Sequence, residues 1–294
     1  MTRPGSPRFE ADWLALREGA DADARDAGLL VPLRAHLAAA RAGRDPGSEL
    51  VVHDLGSGTG SMARWLAPRL DGPHHWVLHD HDPDLLKRAS GAPPASAADG
   101  APVTVRTRLT DLTVLDAADL RGADLVTASA LLDLLTVGEL DGLVDACTAV
   151  GCPVLLTLSV AGRVILAPGH PRDAEIAAAF NEHQRREVQG RRLLGPDAPD
   201  AAAQAFRRRG ARVHARSSPW RLGPDQRQLM RQWLEGWVAA AVEHRPELST
   251  GARTYVEWRL GECASGRLRA EVHHVDLLVL PDGSTTVGGH EERS

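Results

Sequence analysis

Three glycines stand between an apolar strand and a helix, and few folds put them there. Leu50-Val-Val-His-Asp-Leu55 reads as a short buried strand that runs straight into Gly56-Ser-Gly58-Thr-Gly60. Ser61 to Leu70 follows with Met62, Trp65, Leu66 and Leu70 on one side, the spacing of a helix. Glycine is needed where the chain must reverse tightly and where a Cβ would hold a ligand away from the backbone. A helix that opens there offers unpaired N–H groups and a positive dipole end, which suit a carboxylate or a phosphate.

The alternation continues along the chain. Trp76 to Asp80 reads as a second strand, Asp84 to Ser90 as a short helix, and Val103 to Leu109 as a third strand. Ala123 to Ala128 and Pro153 to Val160 are a fourth and a fifth, with a helix from Glu139 to Val150 between them. The rhythm then breaks across residues 161–195, where a Pro/Gly/His segment precedes a polar helix around Asp173 to Glu187. It returns with a helix from Asp197 to Arg209, a strand at Ala211 to Arg216, helices at Asp225 to His244 and Thr250 to Glu262, and a last strand from Leu268 to Leu280. Strands alternating with helices predict an α/β fold: a doubly wound, mainly parallel seven-stranded sheet with helices on both faces. Residues 1–45 are expected to form a helical N-terminal cap, and 46–283 a single domain with insertions at about 161–195 and 222–264. Residues 284–294 read as a polar tail.

Composition narrows the function. No run of about 18 uncharged apolar residues occurs, so a membrane-spanning helix is not expected. The first residues contain no apolar signal core, and a cytoplasmic location is the expectation. Cys147, Cys152 and Cys263 form no Cys-x-x-Cys pair and read as small buried side chains. A net charge of -5 gives no global electrostatic footprint for nucleic acid. Arg185-Arg186, Arg191-Arg192 and Arg207-Arg208-Arg209 have acids such as Glu182 and Glu187 nearby and read as solvated faces. The expected partner is a small-molecule substrate, neither nucleic acid nor membrane, for a monomer or homodimer.

Two ligands compete for the glycine turn. A dinucleotide fingerprint is Gly-x-Gly-x-x-Gly, and here the third glycine arrives one residue early, with Ser61 behind it. Asp54, two residues before Gly56, would repel a pyrophosphate and attract an ammonium group. The plain alternative is a glycine turn that binds nothing. Asp80 ends the second strand twenty residues beyond Gly60, an offset from which a carboxylate can accept both hydroxyls of a ribose. Asp82 and Asp84 read as turn and helix-start residues. His79-Asp-His-Asp82 also admits a metal reading, with His79 and His81 on one face of the strand. No further ligand cluster follows at a suggestive spacing, and no metal is expected.

Four segments carry a resemblance in their order and spacing: Asp54 to Gly60, Leu78 to Leu86, Leu109-Thr-Asp-Leu-Thr113, and Ala123 to Leu135. Over about residues 46–160 the chain resembles the class I (Rossmann-like) S-adenosylmethionine-dependent methyltransferases. That resemblance implies a methyltransferase domain over 46–283 with S-adenosyl-L-methionine as cofactor. It implies cofactor contacts from Asp54, Gly56, Ser57, Gly58, Thr59, Gly60, Asp80, His81, Thr110, Asp111, Leu112 and Ser129. Asp54 would meet the methionine ammonium, Asp80 the ribose, Asp111 the adenine amino group, and Ser129 the chain's passage beneath the sulfonium. Asp111 also reads as a turn cap. The chain lacks the Asn/Asp-Pro-Pro-aromatic segment of base amino methyltransferases and a Pro-Cys nucleophile pair after the fourth strand, which favours transfer to O or N of a small metabolite. A nucleotide (NAD-type) dependent oxidoreductase and a non-catalytic S-adenosylmethionine-binding protein are the alternatives.

Methyl transfer asks the protein mainly for positioning and desolvation. An oxygen acceptor needs a general base, whereas an amine needs only to be neutral. Asp133, His170 and His183 are the catalytic candidates. Asp133 stands where many small-molecule members of the family carry His or Gln, and Thr136-Val-Gly-Glu139 already has the form of a capping box, which leaves Asp133 no capping task. Asn181 and Gln184, three apart, share a face of the polar helix. Trp13 and Arg17 of the cap could close over the site.

Overall fold

The computed structural model describes residues 10–45 and 47–282; the expected polar tail lies outside them. Two helices come first, α1 (Ala11–Ala24) and α2 (Leu30–Arg41). Then β1 (Leu50–Leu55), α3 (Ser61–Leu66), β2 (His74–Asp80), α4 (Pro83–Gly91), β3 (Val103–Leu109), β4 (Leu125–Ser129), α5 (Val137–Val150) and β5 (Val154–Ala167) follow the expected alternation. The remainder is α6 (Asp173–Gln184), a hairpin of β6 (Glu187–Val188) and β7 (Arg191–Arg192), α7 (Ala198–Arg208), β8 (Arg212–Ser217), β9 (Trp220–Leu222), α8 (Arg227–His244), α9 (Ser249–Ala264) and β10 (Arg269–Leu280).

The main sheet runs β3-β2-β1-β4-β5-β10-β8, with β9 pairing beside β10. Strands β1 to β5 are parallel, and β10 is antiparallel to β5, β8 and β9. This is the doubly wound sheet that the sequence predicts, with one strand more. Trp220–Leu222 is too short for its period to show. The order reverses between β1 and β4: the chain moves outward through β2 and β3, then returns to the other side of β1. Such a switch point leaves a crevice at the carboxyl ends of the strands, because the connections on either side diverge.

Alternation along the strands builds two cores. Leu125, Leu155 and Leu278 face α2 and α3, packing with Leu33, Leu37, Met62 and Trp65. Their neighbours Val126, Val154, Leu156 and Leu277 face α5 and α7, packing with Leu143, Val144 and Phe206. Both faces are covered, which is why the central strands read as near-continuous apolar runs. Local signals start the helices as expected: Thr136 and Glu139 form the capping box of α5, and Asp82 accepts from the N–H groups of Asp84 and Leu85 ahead of α4.

The segment from 161 departs from expectation. Residues 161–167 continue β5 past the core, paired with the first half of β10, and α6, α8 and α9 pack there as a third cluster around Trp220, Trp237 and Tyr255. The extension makes one two-stranded platform for both expected insertions. Asp276 of β10 ties the parts together. Its carboxylate accepts from Asp26 N–H (2.9 Å), Leu158 N–H (2.8 Å) and Ser218 Oγ (2.6 Å), joining the α1–α2 turn, β5 and the β8–β9 turn. Asp276→Ala leaves buried donors unmet and is expected to cost roughly 2–4 kcal/mol, read as a lower urea midpoint. A midpoint unchanged from wild type would refute this tie.

Candidate functional site

The glycine turn sits at the switch point with its backbone in the left-handed region: φ is +64° at Gly56, +52° at Gly58 and +83° at Gly60. The conformation calls for glycine at all three, and space is tight at the first two. A Cβ on Gly56 would stand 3.0 Å from Leu131 Cδ1, and one on Gly58 3.2 Å from Leu14 Cδ1. Ser57 N–H donates to His79 O (2.9 Å) and Gly60 N–H to Ser57 O (2.8 Å), so the loop is held open by its own backbone. In front of it lies a cavity of about 410 Å³.

Asp54 is the most constrained group in that cavity. It is 1% exposed, on β1, directly beside Thr127 of β4, whose hydroxyl donates to its Oδ1 (2.7 Å). Among the described residues its Oδ2 has no partner. Burial pushes the carboxyl up to about 7, against the hydrogen bond from Thr127 and the positive charge of Arg25. Asp80, at the end of β2, is buried and better satisfied. Its Oδ2 accepts from Gly58 N–H (2.8 Å) and its Oδ1 from Asp82 N–H (2.9 Å), while His81 Nδ1 lies 3.4 Å from Oδ1. Each ionised oxygen can accept twice, so both keep capacity for a ligand hydroxyl.

Eleven of the twelve expected cofactor contacts line this one cavity: Asp54, Gly56, Ser57, Gly58, Thr59, Asp80, His81, Thr110, Asp111, Leu112 and Ser129. Gly60 lies behind them, its Cβ direction closed by Ala89 of α4. Asp111 Oδ1 accepts from the Thr113 N–H (3.0 Å) and hydroxyl (2.7 Å), so it caps a turn while lining the cavity. His79 and His81 do not share a face. β2 ends at Asp80, His79 is buried with Nε2 3.0 Å from His53 Nδ1, and burial pushes both of those imidazoles down to about 4. Among the described residues no group of three or more His, Cys, Asp or Glu is placed to hold a metal.

The three catalytic candidates are not in the cavity wall. His170 packs against Tyr255 and Trp258, its Nδ1 accepting from Arg172 N–H (3.1 Å). His183 lies 3.4 Å from Glu243 Oε2 and beside Arg186, and burial lowers its affinity for a proton. Both belong to the platform at the far end of β5, a place that no local spacing reveals. Asn181 likewise donates to Gly162 O (2.6 Å). Asp133 is half-buried between Leu132 and Leu134; burial pushes its carboxyl up to about 6, opposed by the charge of Arg17.

The cap supplies the roof. Leu14, Arg17 and Asp21 of α1 line the cavity, and Trp13 packs into the third cluster. Arg17 makes two bonds to Asp21 (2.9 and 3.1 Å) and lies over the Trp220 ring, whose Nε1–H also donates to Asp21 (2.9 Å). Arg64 grips Glu18 with two 2.7 Å bonds, fastening α1 to α3. Arg191 of the β6–β7 hairpin closes the other side, paired with Glu139 at 2.7 and 2.8 Å. The hairpin turns at Gln189 and Gly190, both with positive φ, a two-residue turn that the sequence reading missed.

A scan against protein-family models finds no match, and a search of curated proteins finds none either. Among solved structures the chain is similar to a cyclopropane synthase from Mycobacterium tuberculosis, at 12% identity and TM-score 0.47 over 93% of this chain and 95% of that one. It is also similar to a SAM-dependent methyltransferase from Geobacter sulfurreducens in complex with S-adenosyl-L-homocysteine, at 17% identity and TM-score 0.42 over 92% and 98%. A third, a SAM-dependent methyltransferase from Thiobacillus denitrificans with the same ligand, shows 13% identity and TM-score 0.40 over 94% and 100%. At such identities and scores the strand order and register described above, not the likeness, carry the fold: a doubly wound, Rossmann-like sheet with a cavity at its switch point.

The buried Asp54 has a consequence for stability. Its carboxyl rises from 3.8 to about 7 on folding, so the folded chain holds the proton more tightly than the unfolded one. Through this group the ligand-free protein loses stability as pH rises across that window. Asp54→Asn is expected to stabilise the free protein by about 1–3 kcal/mol near pH 8, and much less near pH 4, by urea denaturation. A variant less stable than wild type near pH 8 would show that the charge is compensated inside the free protein.

Proposed function

We propose that this chain is an S-adenosylmethionine-dependent methyltransferase that transfers a methyl group to O or N of a small metabolite. The observation that carries the reading is the pair of carboxylates at the glycine turn. Asp54 faces the cavity with a buried oxygen that has no donor among the described residues, and Asp80 stands at the adjoining strand end with acceptor capacity to spare. An ammonium group satisfies the first and a ribose diol the second. One ligand bearing both, with no pyrophosphate between them, is an aminoacyl-type nucleoside. A dinucleotide would bring its phosphates against Asp54, which disfavours the oxidoreductase alternative.

When bound, S-adenosylmethionine supplies a methyl carbon already activated by positive sulfur. The chain's own tasks are to hold and to exclude water. Asp54 would hold the amino end, and Gly56 and Gly58 would admit the ligand close to the backbone. Asp80 would fix the sugar, with Thr110, Asp111 and Leu112 beside the base. Leu131, Leu134 and Leu135 would keep the reacting end dry beneath α1. Asp133 lies between the cavity-lining Leu131 and Leu134 but outside the wall itself; it is the candidate proton acceptor for an oxygen nucleophile, a role that requires its side chain to turn into the cavity. His170 and His183 take no part in this proposal.

Calorimetry with S-adenosylhomocysteine tests the reading. Wild type is expected to bind, and Asp80→Ala to bind about ten- to a hundredfold more weakly. Affinity is expected to rise with pH through about 7 as Asp54 ionises, and Asp54→Asn to lose both the affinity and the pH dependence. No binding by wild type, or a stronger thermal shift with NAD than with the adenosyl ligand, would overturn it.

A further inference from the structure

A second unsatisfied charge lies at the Asp54 end of the cavity. Arg25, the residue that ends α1, is 4% exposed. One guanidinium nitrogen donates to Ser129 Oγ (3.1 Å) and Ser61 Oγ (3.4 Å), while Nε and the other terminal nitrogen have no partner among the described residues. Trp65 lies against the group, its ring centre 5.5 Å from Cζ. Asp21, Asp54 and Asp276 surround it electrostatically without a direct ion pair among the described residues. A buried guanidinium with spare donors is costly, and some task must offset the cost.

Ser61 and Ser129 both line the cavity, and Arg25 stands behind them. Ser129 Oγ accepts twice, from Arg25 and from Thr157 Oγ1 (3.0 Å). Both lone pairs are then filled, so the Ser129 proton is left to donate elsewhere. A hydroxyl polarised in this way, beside a fixed positive charge, receives an anion. Two residues back on the same face of β4, Thr127 holds Asp54, whose free oxygen receives a cation. The two unmet charges are opposite in sign, and the residues that hold them, Thr127 and Ser129, stand two positions apart on β4.

We infer that Arg25 is a positioning residue for a ligand carboxylate: it orients the Ser61 and Ser129 hydroxyls and supplies the counter-charge, so that with Asp54 it makes a receptor for an α-amino-acid zwitterion. The inference rests on the proposed cofactor for the identity of the rest of the ligand. It gives the N-terminal cap a share in ligand binding, because the residue that ends the roof helix answers the ligand's charge.

The test compares S-adenosylhomocysteine with its decarboxylated analogue, which differs only in lacking the carboxylate, by calorimetry on the whole chain. Wild type is expected to prefer the carboxylate form about tenfold or more. Arg25→Met is expected to abolish that preference while leaving the affinity for the decarboxylated analogue within about twofold, and Arg25→Lys to restore part of it. A preference that survives Arg25→Met, or equal weakening of both ligands, overturns the inference. Should Arg25→Met fail to fold, Ser129→Ala carries the test: a narrowed preference supports the inference and an unchanged one overturns it. Wild type that binds both ligands equally sinks the inference and leaves the cofactor reading intact. Wild type that binds neither sinks both.

Discussion

A carboxylate buried on the first strand of a parallel sheet is expensive, and the architecture around Asp54 is arranged to keep it there. The group is 1% exposed and only half satisfied, by one threonine on the neighbouring strand. In water its free oxygen would be solvated; here it faces a cavity roofed by α1. An apolar residue of similar size would stabilise the free fold better. The retained cost is understandable if the native partner of that oxygen arrives with a ligand, and an ammonium is the partner whose charge and donors match.

The same logic extends outward. The switch point opens the crevice, the glycines let the backbone approach it, and Asp80 ties the two strand ends together through Gly58 and Asp82. The cap then roofs part of the crevice. Its fastenings are charged and specific: Glu18 with Arg64, Arg17 with Asp21 over Trp220, and Arg25 behind Ser129. Such a roof lowers the local dielectric and strengthens each of these interactions.

Much of this could be read from the residues, and the boundary of legibility has a physical cause. The parallel half of the sheet announces itself because its central strands are apolar runs that alternate with helices, and the cavity-lining positions lie at fixed offsets from strand ends. Asp54, Gly56, Gly58 and Asp80 are legible for that reason. The second half is not, because β5 and β10 extend beyond the core and their partners are set by long-range antiparallel pairing. His170 and His183 therefore stand among the catalytic candidates of the sequence although they belong to the α6–α8–α9 platform. Arg191 and Arg25 were missed for the converse reason: one comes from a two-residue strand and the other from a helix end, and neither carries a period or a motif. Thr127 has a weak signal, a hydroxyl flanked by Val126 and Ala128 inside a short strand.

The central claim concerns what meets Asp54, and a crystal structure of the chain with S-adenosylhomocysteine addresses it most directly. The ligand's amino nitrogen is expected within about 3 Å of Asp54 Oδ2 and its ribose hydroxyls on the Asp80 carboxylate. A ligand bound with its amino end turned away from Asp54, or bound outside the crevice between β1 and β4, would contradict it.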